Sequence, residues 1–417
     1  LNLEYFIANK LITTKNQKGS MASPIVKIAI AAIAIGMIMM IVSVATGTGL
    51  QEKIRQKVAA FNGHILISNF DNNQSEVSIQ PISTQQDFYP KFKNVKGIQH
   101  IQAVASKAGI IRTDKSFEGI IFKGVGKDYQ WNNMKEYLVQ GNIPTIFNDV
   151  SNQVLISKYL ANRLQLKVGD TFNTFFMKET GNHLPNLRVF NVVGIYNSGF
   201  QEFDATYIIG DIRHIQKINK WKPSQVGSFE VFIKDFNQIE QKGAEVYKNT
   251  QNKNDVAKTL DSQTIVQKYY YIFEWLKLFD FNIIVIITIM IVVSTINMAV
   301  ALLVLVLERT QMIGILKSLG ASNWSIRKIF LYNATHIIIK GVLWGNSIGI
   351  GLLLIQKYTG IIKLNPENYY VNQAPVNINL ITIGLLNIGT IAICMLLLLI
   401  PSYIITKISP VRAIKFS

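Results

Sequence analysis

Four long apolar stretches dominate the pattern of hydrophobic and polar positions. They cover residues 25–46 (IVKIAIAAIAIGMIMMIVSVAT), 281–307 (FNIIVIITIMIVVSTINMAVALLVLVL), 334–355 and 378–405. Each has the roughly 20 residues a helix needs to cross a hydrocarbon core. The pattern therefore predicts four transmembrane helices in a 1+3 arrangement, with residues 47–280 between the first and second. The third stretch is the least apolar, with His336, Lys340, Trp344 and Asn346. It also carries Gly341, Gly345 and Gly349. Glycines four apart share one helix face and let another helix approach closely, although glycine is also simply common in membrane helices. Lys340 lies about two turns from the basic end of its span, within snorkelling reach of the interface. Asn297 and Ser294 in the second span read as helix–helix hydrogen bonders rather than ligand groups. Ahead of the first span, Leu3, Phe6, Ile7 and Leu11 fall at helical spacing. Residues 1–24 thus read as an amphipathic helix lying on a membrane face, with a disordered tail as the alternative.

The 47–280 segment has a mixed pattern. GTGLQEKIRQKVAAFNG continues the first helix and breaks near Asn62-Gly63, where the strand HILISNF begins. VSIQPI, IQHIQAVA, AGIIRT and EGIIFKGVG are short β-type runs. TQQDFYPKFKNVKG reads as a helix ending at Gly97. VLISKYLANRLQLKVGD reads as strand, helix, then a turn at Gly169-Asp170. RVFNVVGIYN, ATYIIGD and FEVFIKD are strands; DIRHIQKINKW and FNQIEQKGAEVYKNTQN are helices. The fold class is a four-helix membrane protein with a large α+β extracytoplasmic domain inserted between helices 1 and 2.

Charge sets the orientation. The formal net charge is +17, but only 16% of residues are charged and the basic ones are interspersed with acids. No long basic stripe exists for a phosphate backbone, so nucleic acid is not an expected partner. Lys10, Lys15, Lys18 and Lys27, Arg309, Lys317, Arg327 and Lys328, and Lys407, Arg412 and Lys415 flank the spans on one side, against only Glu4 and Glu308. By the positive-inside rule that side is the cytoplasm. Both termini (1–24 and 406–417) and the 308–333 segment are then cytoplasmic; residues 47–280 and the short loop 356–377 lie outside. The first apolar run reads as a retained anchor rather than a cleaved signal. The single cysteine, Cys394, excludes an internal disulfide.

Catalytic signatures are missing. There is no G-x-x-x-x-G-K-[ST]; GVGKDY at 124–129 lacks the first glycine. H-E-x-x-H does not occur, and the five histidines are far apart in sequence, so neither a metal nor a resident cofactor is expected. No pair of acids marks an acid/base couple.

The most informative segment is ERTQMIGILKSLGASNWSIRKIFLYNA, residues 308–334. Glu308-Arg309 closes the second span. Met312, Ile313, Leu316 and Leu319 give a short helix an apolar face, Gly320-Ala321-Ser322 breaks it, and Ile326, Ile329, Phe330 and Leu331 lead into the third span. This resembles the signature of the FtsX-like, or MacB-type, ABC transporter permeases, and Pro401-Ser402 with KISPVRAIKFS resembles their closing pattern. Within that superfamily the chain is similar to the LolC/LolE lipoprotein-releasing permeases along its whole length. EYFIANKLI, FNGHILI, IQAVASKAGIIRTDKSFEGIIFKGVGKDY, VLISKYLANRLQLKVGDTF and VVGIYNSGFQEFDATYIIGDI carry the likeness.

The resemblance implies an inner-membrane, non-catalytic permease subunit. ATP would be bound by a cytoplasmic ABC ATPase dimer docked on 308–333, with Glu308, Arg309, Ile313, Gly314, Leu316, Lys317, Gly320 and Ala321 as coupling residues. A second permease subunit, identical or a LolC/LolE-like sister, would complete the membrane part. Lipoproteins would be extracted from the outer leaflet and passed to a periplasmic carrier. The outer domain would hold a porter-like part and a β-rich insert at about 110–200. A protruding hairpin, FFMKETGNHLPNLRVF at 175–190, would hook the carrier through Lys178, Gly181, His183, Pro185 and Arg188; an ordinary connection is the alternative. Met37, Met40 and Asn297 would line a lipid cavity between the first two spans, or plain lipid-facing surface. A MacB-type efflux permease with a separate ATPase and an FtsX-like signalling permease are the competing functions.

Overall fold

The computed structural model describes residues 3–13, 22–72, 75–113, 116–147, 149–177, 185–251 and 260–407. Its helices are α1 (Leu3–Thr13), α2 (Ala22–Asn62), α3 (Lys158–Leu164), α4 (Gln201–Asp204), α5 (Arg213–Ile218), α6 (Ile239–Thr250), α7 (Ile265–Lys268), α8 (Tyr270–Glu308), α9 (Thr310–Ser318), α10 (Asn323–Thr359), α11 (Pro366–Tyr369) and α12 (Leu380–Ser402). Its strands are β1 (Ile65–Asn69), β2 (Ile82–Ser83), β3 (Ile98–Arg112), β4 (Phe117–Val125), β5 (Leu138–Gly141), β6 (Gln153–Ser157), β7 (Thr171–Phe176), β8 (Asn186–Tyr196), β9 (Tyr207–Asp211), β10 (Gln225–Val226), β11 (Ser228–Ile233) and β12 (Leu260–Thr264). Two compact units result. A helical unit comprises Leu1–Gln51, Trp275–Lys363 and Gln373–Ser417; an α+β unit comprises Glu52–Glu274 and Leu364–Asn372.

In the helical unit, α2, α8, α10 and α12 are long and apolar enough to cross a membrane. One precedes the α+β segment and three follow it, as the hydropathy pattern predicts. A buried cluster at one end joins Ile33 of α2, Met298, Leu302 and Val306 of α8, Ile313 of α9, Phe330 and Ile337 of α10, and Cys394 and Leu398 of α12. A second gathers Met37, Met40 and Ile41 with Leu353 and Ile383. As predicted, α2 continues past its apolar stretch and ends at Asn62, where Gly63 adopts a φ of +67°, a conformation that suits glycine.

The α+β unit is built on one mixed sheet, in the order β12-β1-β11-β3-β4-β9-β6-β8-β5, with β7 pairing β3 and β8. The pairs β4–β9 and β6–β8 are parallel and the rest antiparallel. IQHIQAVA and AGIIRT, read as separate runs, form the single 15-residue strand β3. Its last residues, Ile110–Arg112, pair with β7, so the expected insert boundary at about 110 falls inside one continuous strand. The phenylalanines Phe122, Phe176 and Phe190 are fully buried together under the sheet. Ser157 caps α3 by accepting from the Leu160 N–H at 3.0 Å, and Gln165 ends it in the left-handed region.

The helix expected over TQQDFYPKFKNVKG does not form. Residues 84–97 run as turns, with a cis Tyr89-Pro90 bond. Pro90 removes a donor and keeps Tyr89 out of helical geometry. Phe88 and Phe92 stack at 5.3 Å, and Phe88 meets Phe229 of β11 edge-on, so side-chain burial fixes the segment without a helix. Of VSIQPI, only Ile82 is in the two-residue strand β2. The buried Asn72 side chain instead accepts from the Ile79 and Gln80 N–H groups.

Candidate functional site

The helical unit carries the predicted coupling segment at one end. Arg309 separates α8 from α9, and α9 closes with Gly320 N–H on Lys317 O and Ala321 N–H on Leu316 O. Gly320 has a φ of +87°, with open space where a Cβ would sit, so the turn needs glycine for its backbone and not for room. Ser322 then caps α10 by accepting from Ser325 N–H.

The direction of the apolar face differs from the expected one. Ile313 and Gly314 are buried, and Met312, Leu316 and Ala321 pack partly against the cluster around Ile326, Phe330 and Ile405. The chain's own bundle has taken that face. Ile315 (49% exposed), Leu319 (79%) and Trp324 (50%) point outward instead. Of the predicted face only Leu319 is available to a partner, and Ile315 sits one turn before it.

Polar contacts lock the surroundings. Lys317 Nζ donates to the carbonyls of Ile405 and Thr406 at 3.2 Å each, which satisfies acceptors at the end of the fourth span. Burial pushes this amine below its ordinary value. Arg327 donates to Ser402 Oγ at 3.0 Å and Leu399 O at 2.9 Å and lies over the Trp324 ring at 5.2 Å. Pro401, inside α12, removes the N–H that would serve Leu397 O. On α1, Glu4 accepts from Ser325 Oγ at 2.9 Å, and Tyr5 meets Tyr332 edge-on at 5.8 Å. A backbone hydrogen bond at Glu4 itself, then the Ser325 hydroxyl, hold the Glu4 carboxyl below its usual range.

Within the bundle the glycine ladder faces α2. A Cβ on Gly341 would lie 2.7 Å from Ile33 Cβ, and one on Gly345 2.6 Å from Met37 Cβ and 2.8 Å from Ala34 O; at Gly349 the nearest atom is 3.5 Å away. Met37 and Met40 are fully buried in the bundle of this chain, whereas Ile28, Ile35 and Met39 are the exposed large residues of α2. Ser294 Oγ is buried against Gly36 with no hydrogen-bond partner among the described residues. Asn297 donates to Val293 O of its own helix at 2.9 Å, and the interhelical bond expected of it does not form among the described residues. Asn346 and Asn387 exchange hydrogen bonds of 2.8 and 3.2 Å between α10 and α12. Asn387 went unnoticed in the sequence; a lone amide in an apolar run was the available signal.

In the α+β unit, β7 and β8 form the arms of the predicted hairpin. Lys178, Gly181 and His183 lie outside the described residues; Pro185 precedes β8, and Arg188 on β8 pairs with Thr174. Ile110, Phe175 and Leu187 align across β3, β7 and β8, with Arg112, Asn173 and Val189 in the next row on the same face. Ile110, Leu187, Val189 and, beyond β7, Met177 are exposed, so the arms present an apolar strip to solvent. Behind the sheet, Lys123 and Glu230 form a buried ion pair; Lys123 also donates to Phe61 O, and Gln102 to Glu230. No cluster of metal-ligating side chains occurs among the described residues.

Residues 28–246 match the family described as MacB-like periplasmic core domain, and residues 284–410 match the FtsX-like permease C-terminal family. The chain belongs to the FtsX/MacB-type ABC permeases, a multi-pass membrane family whose transmembrane subunits are typically non-catalytic and whose work implies an ATPase partner. Its relatives include the lipoprotein-releasing system transmembrane protein LolE of Haemophilus influenzae, 21% identical over 435 residues and 99% of both chains. LolC of Neisseria meningitidis serogroup B is 22% identical over 437 residues, covering 100% of this chain and 99% of its own. Among solved structures, the periplasmic region of MacB from Actinobacillus actinomycetemcomitans is 16% identical and covers 50% of this chain and 91% of that one, with a TM-score of 0.33.

Proposed function

We propose that this chain is the permease subunit of an ABC transporter that extracts lipoproteins from the outer leaflet of the inner membrane and hands them to a periplasmic carrier. The observation that carries the reading is the extent of the likeness to LolE and LolC, which takes in both the spans and the α+β unit at 99–100% of the chain. The membrane part is completed by a second permease subunit, identical or a sister. A cytoplasmic ATPase dimer docks at α9, where Leu319 and Ile315 supply the apolar contact and the inward Lys317 and Arg327 hold the seat against the end of α12. Basic residues around this end support a cytoplasmic position for it and for both termini. The hairpin whose arms are β7 and β8 recruits the carrier, with Ile110, Leu187 and Val189 exposed alongside those arms. Acyl chains contact the outward face of the first span, with Ile35 and Met39 more accessible than Met37 and Met40.

A MacB-type efflux permease with a separate ATPase is the second reading, favoured by the match to the MacB-like core over residues 28–246. Depletion of the protein in its own cells separates them. Under the first reading, lipoproteins destined for the outer membrane accumulate in the inner-membrane fraction. An unchanged lipoprotein distribution together with increased sensitivity to toxic compounds would favour efflux.

A further inference from the structure

The α+β unit contains a groove that the proposed transport cycle leaves without a role. Its floor is Ala59 and Ala60 near the end of α2, and it encloses about 290 Å³. His64, Gln99, Gln130, Asn132 and Asn133 are among the residues that line it. The side-chain amides of Gln99, Gln130, Asn132 and Asn133 make no hydrogen bond among the described residues. The backbone that carries Gln130, Asn132 and Asn133 is nevertheless held in place. The Gln130 N–H donates to Gln102 Oε1 at 2.9 Å, and the 130–137 segment is wound into short 3-10 turns pinned by the buried Met134 and Tyr137.

The groove is also neutral. Its one carboxylate, Glu136, is paired with Lys53. Burial lowers the His64 pKa to about 4, so its ring is uncharged at neutral pH. Nδ1 accepts from Ile233 N–H at 3.2 Å, which leaves the proton on Nε2 as a further donor without an acceptor among the described residues.

We infer that this groove binds a short, extended, uncharged polypeptide segment through its side-chain amides. Each carboxamide offers a donor and an acceptor, the complement of the alternating N–H and C=O groups along an extended backbone. A sugar would ask for an open aromatic face. Neither aromatic ring of the lining is open: Phe232 is buried edge-on to His64 at 5.8 Å, and the Tyr137 ring lies beneath Lys57 at 5.7 Å and against Phe61 at 5.6 Å. An acidic or basic segment would find no unpaired counter-charge in the lining, since Glu136 is already held by Lys53. Resting on the lipoprotein-release reading, the occupant is the flexible stretch of cargo between its lipid anchor and its folded part.

The test uses the full-length protein in lipid nanodiscs, without ATP or cargo. The probe is a fluorescein-labelled decapeptide of Ser, Gly and Asn, read by polarisation. An acidic decapeptide and maltohexaose serve as competitors. The uncharged peptide is expected to bind, and neither competitor to displace it. Asn133→Ala is expected to weaken binding about fivefold and Gln99→Ala with Asn133→Ala more than tenfold, as lost hydrogen bonds of ordinary strength imply. A photo-crosslinking residue at the exposed Asn132 is expected to capture the peptide. Equal binding by wild type and variants, displacement by maltohexaose, or no capture at position 132 overturns the inference. Lipoprotein release measured separately tells the two failures apart: release with no peptide binding rejects the groove alone, and peptide binding with no release rejects the transport reading alone.

Discussion

Gly345→Ala is expected to destabilise the bundle, although alanine is the better helix former by about 1 kcal/mol. The added methyl would sit 2.6 Å from Met37 Cβ and 2.8 Å from Ala34 O. Carbon atoms prefer roughly 3.5–4.0 Å, so the helices must separate by about 1 Å. Neither neighbour can rotate away, because one is a Cβ and the other a backbone carbonyl. Overpacking of this kind costs about 1–3 kcal/mol, which outweighs the gain in propensity. Gly349→Ala meets nothing closer than 3.5 Å, and Gly351→Ala nothing within 4 Å; both are expected to be neutral or stabilising. The chain supplies its own reporter. Cys394 is its single cysteine and is fully buried in the bundle. A thiol-reactive fluorophore followed during heating in one detergent therefore reads the opening of the helices. Gly345→Ala should expose Cys394 at a temperature a few degrees below wild type, at about 2–4 °C per kcal/mol for a unit of this size, and Gly351→Ala at or above it. Equal shifts at positions 345 and 351 would refute the packing argument.

Two further outcomes follow from the described geometry. Leu319→Asp, on the exposed end of α9, should leave the fold intact yet abolish co-purification of the partner ATPase, since a charge desolvated without a partner costs on the order of a few kcal/mol; unchanged assembly would place docking elsewhere. For the half-buried His64, the unfolded chain binds more protons than the folded one between about pH 4 and 6.5. Its contribution of about 3 kcal/mol is thus complete above pH 6.5 and lost as pH falls toward 4. His64→Asn keeps an acceptor for Ile233 N–H, so hydrogen exchange of β11 in the full chain should lose this acid dependence; an identical slope in both proteins would contradict the assignment.

The spans were legible in the sequence because apolar length is itself the signal that lipid demands. The strand–helix–turn of 153–170 was legible because Ser157 is a good cap and Gly169 takes a φ of +99°. What escaped depended on neighbours far along the chain. TQQDFYPKFKNVKG reads as a helix, but Phe88 is buried on Phe229 of β11, and Phe92 on Phe88, from a turn. On α9 the apolar positions were found, yet which of them faces out is decided by Ile326, Phe330 and Ile405, which only the folded bundle brings together. The same holds for Met37 and Met40. The resemblance implied a lipid cavity for them, while Met37 packs closely against Gly345 in the interior.

The central claim is that this permease releases lipoproteins. The most direct measurement reconstitutes it, with the ATPase and any sister subunit that co-purify from native membranes, into proteoliposomes carrying a triacylated lipoprotein. Transfer of that lipoprotein to a soluble periplasmic carrier is then followed by sedimentation. Transfer is expected to require ATP and to be lost with Leu319→Asp, while non-acylated cargo is not retained or moved. ATP hydrolysis without lipoprotein transfer by the complete complex would contradict it.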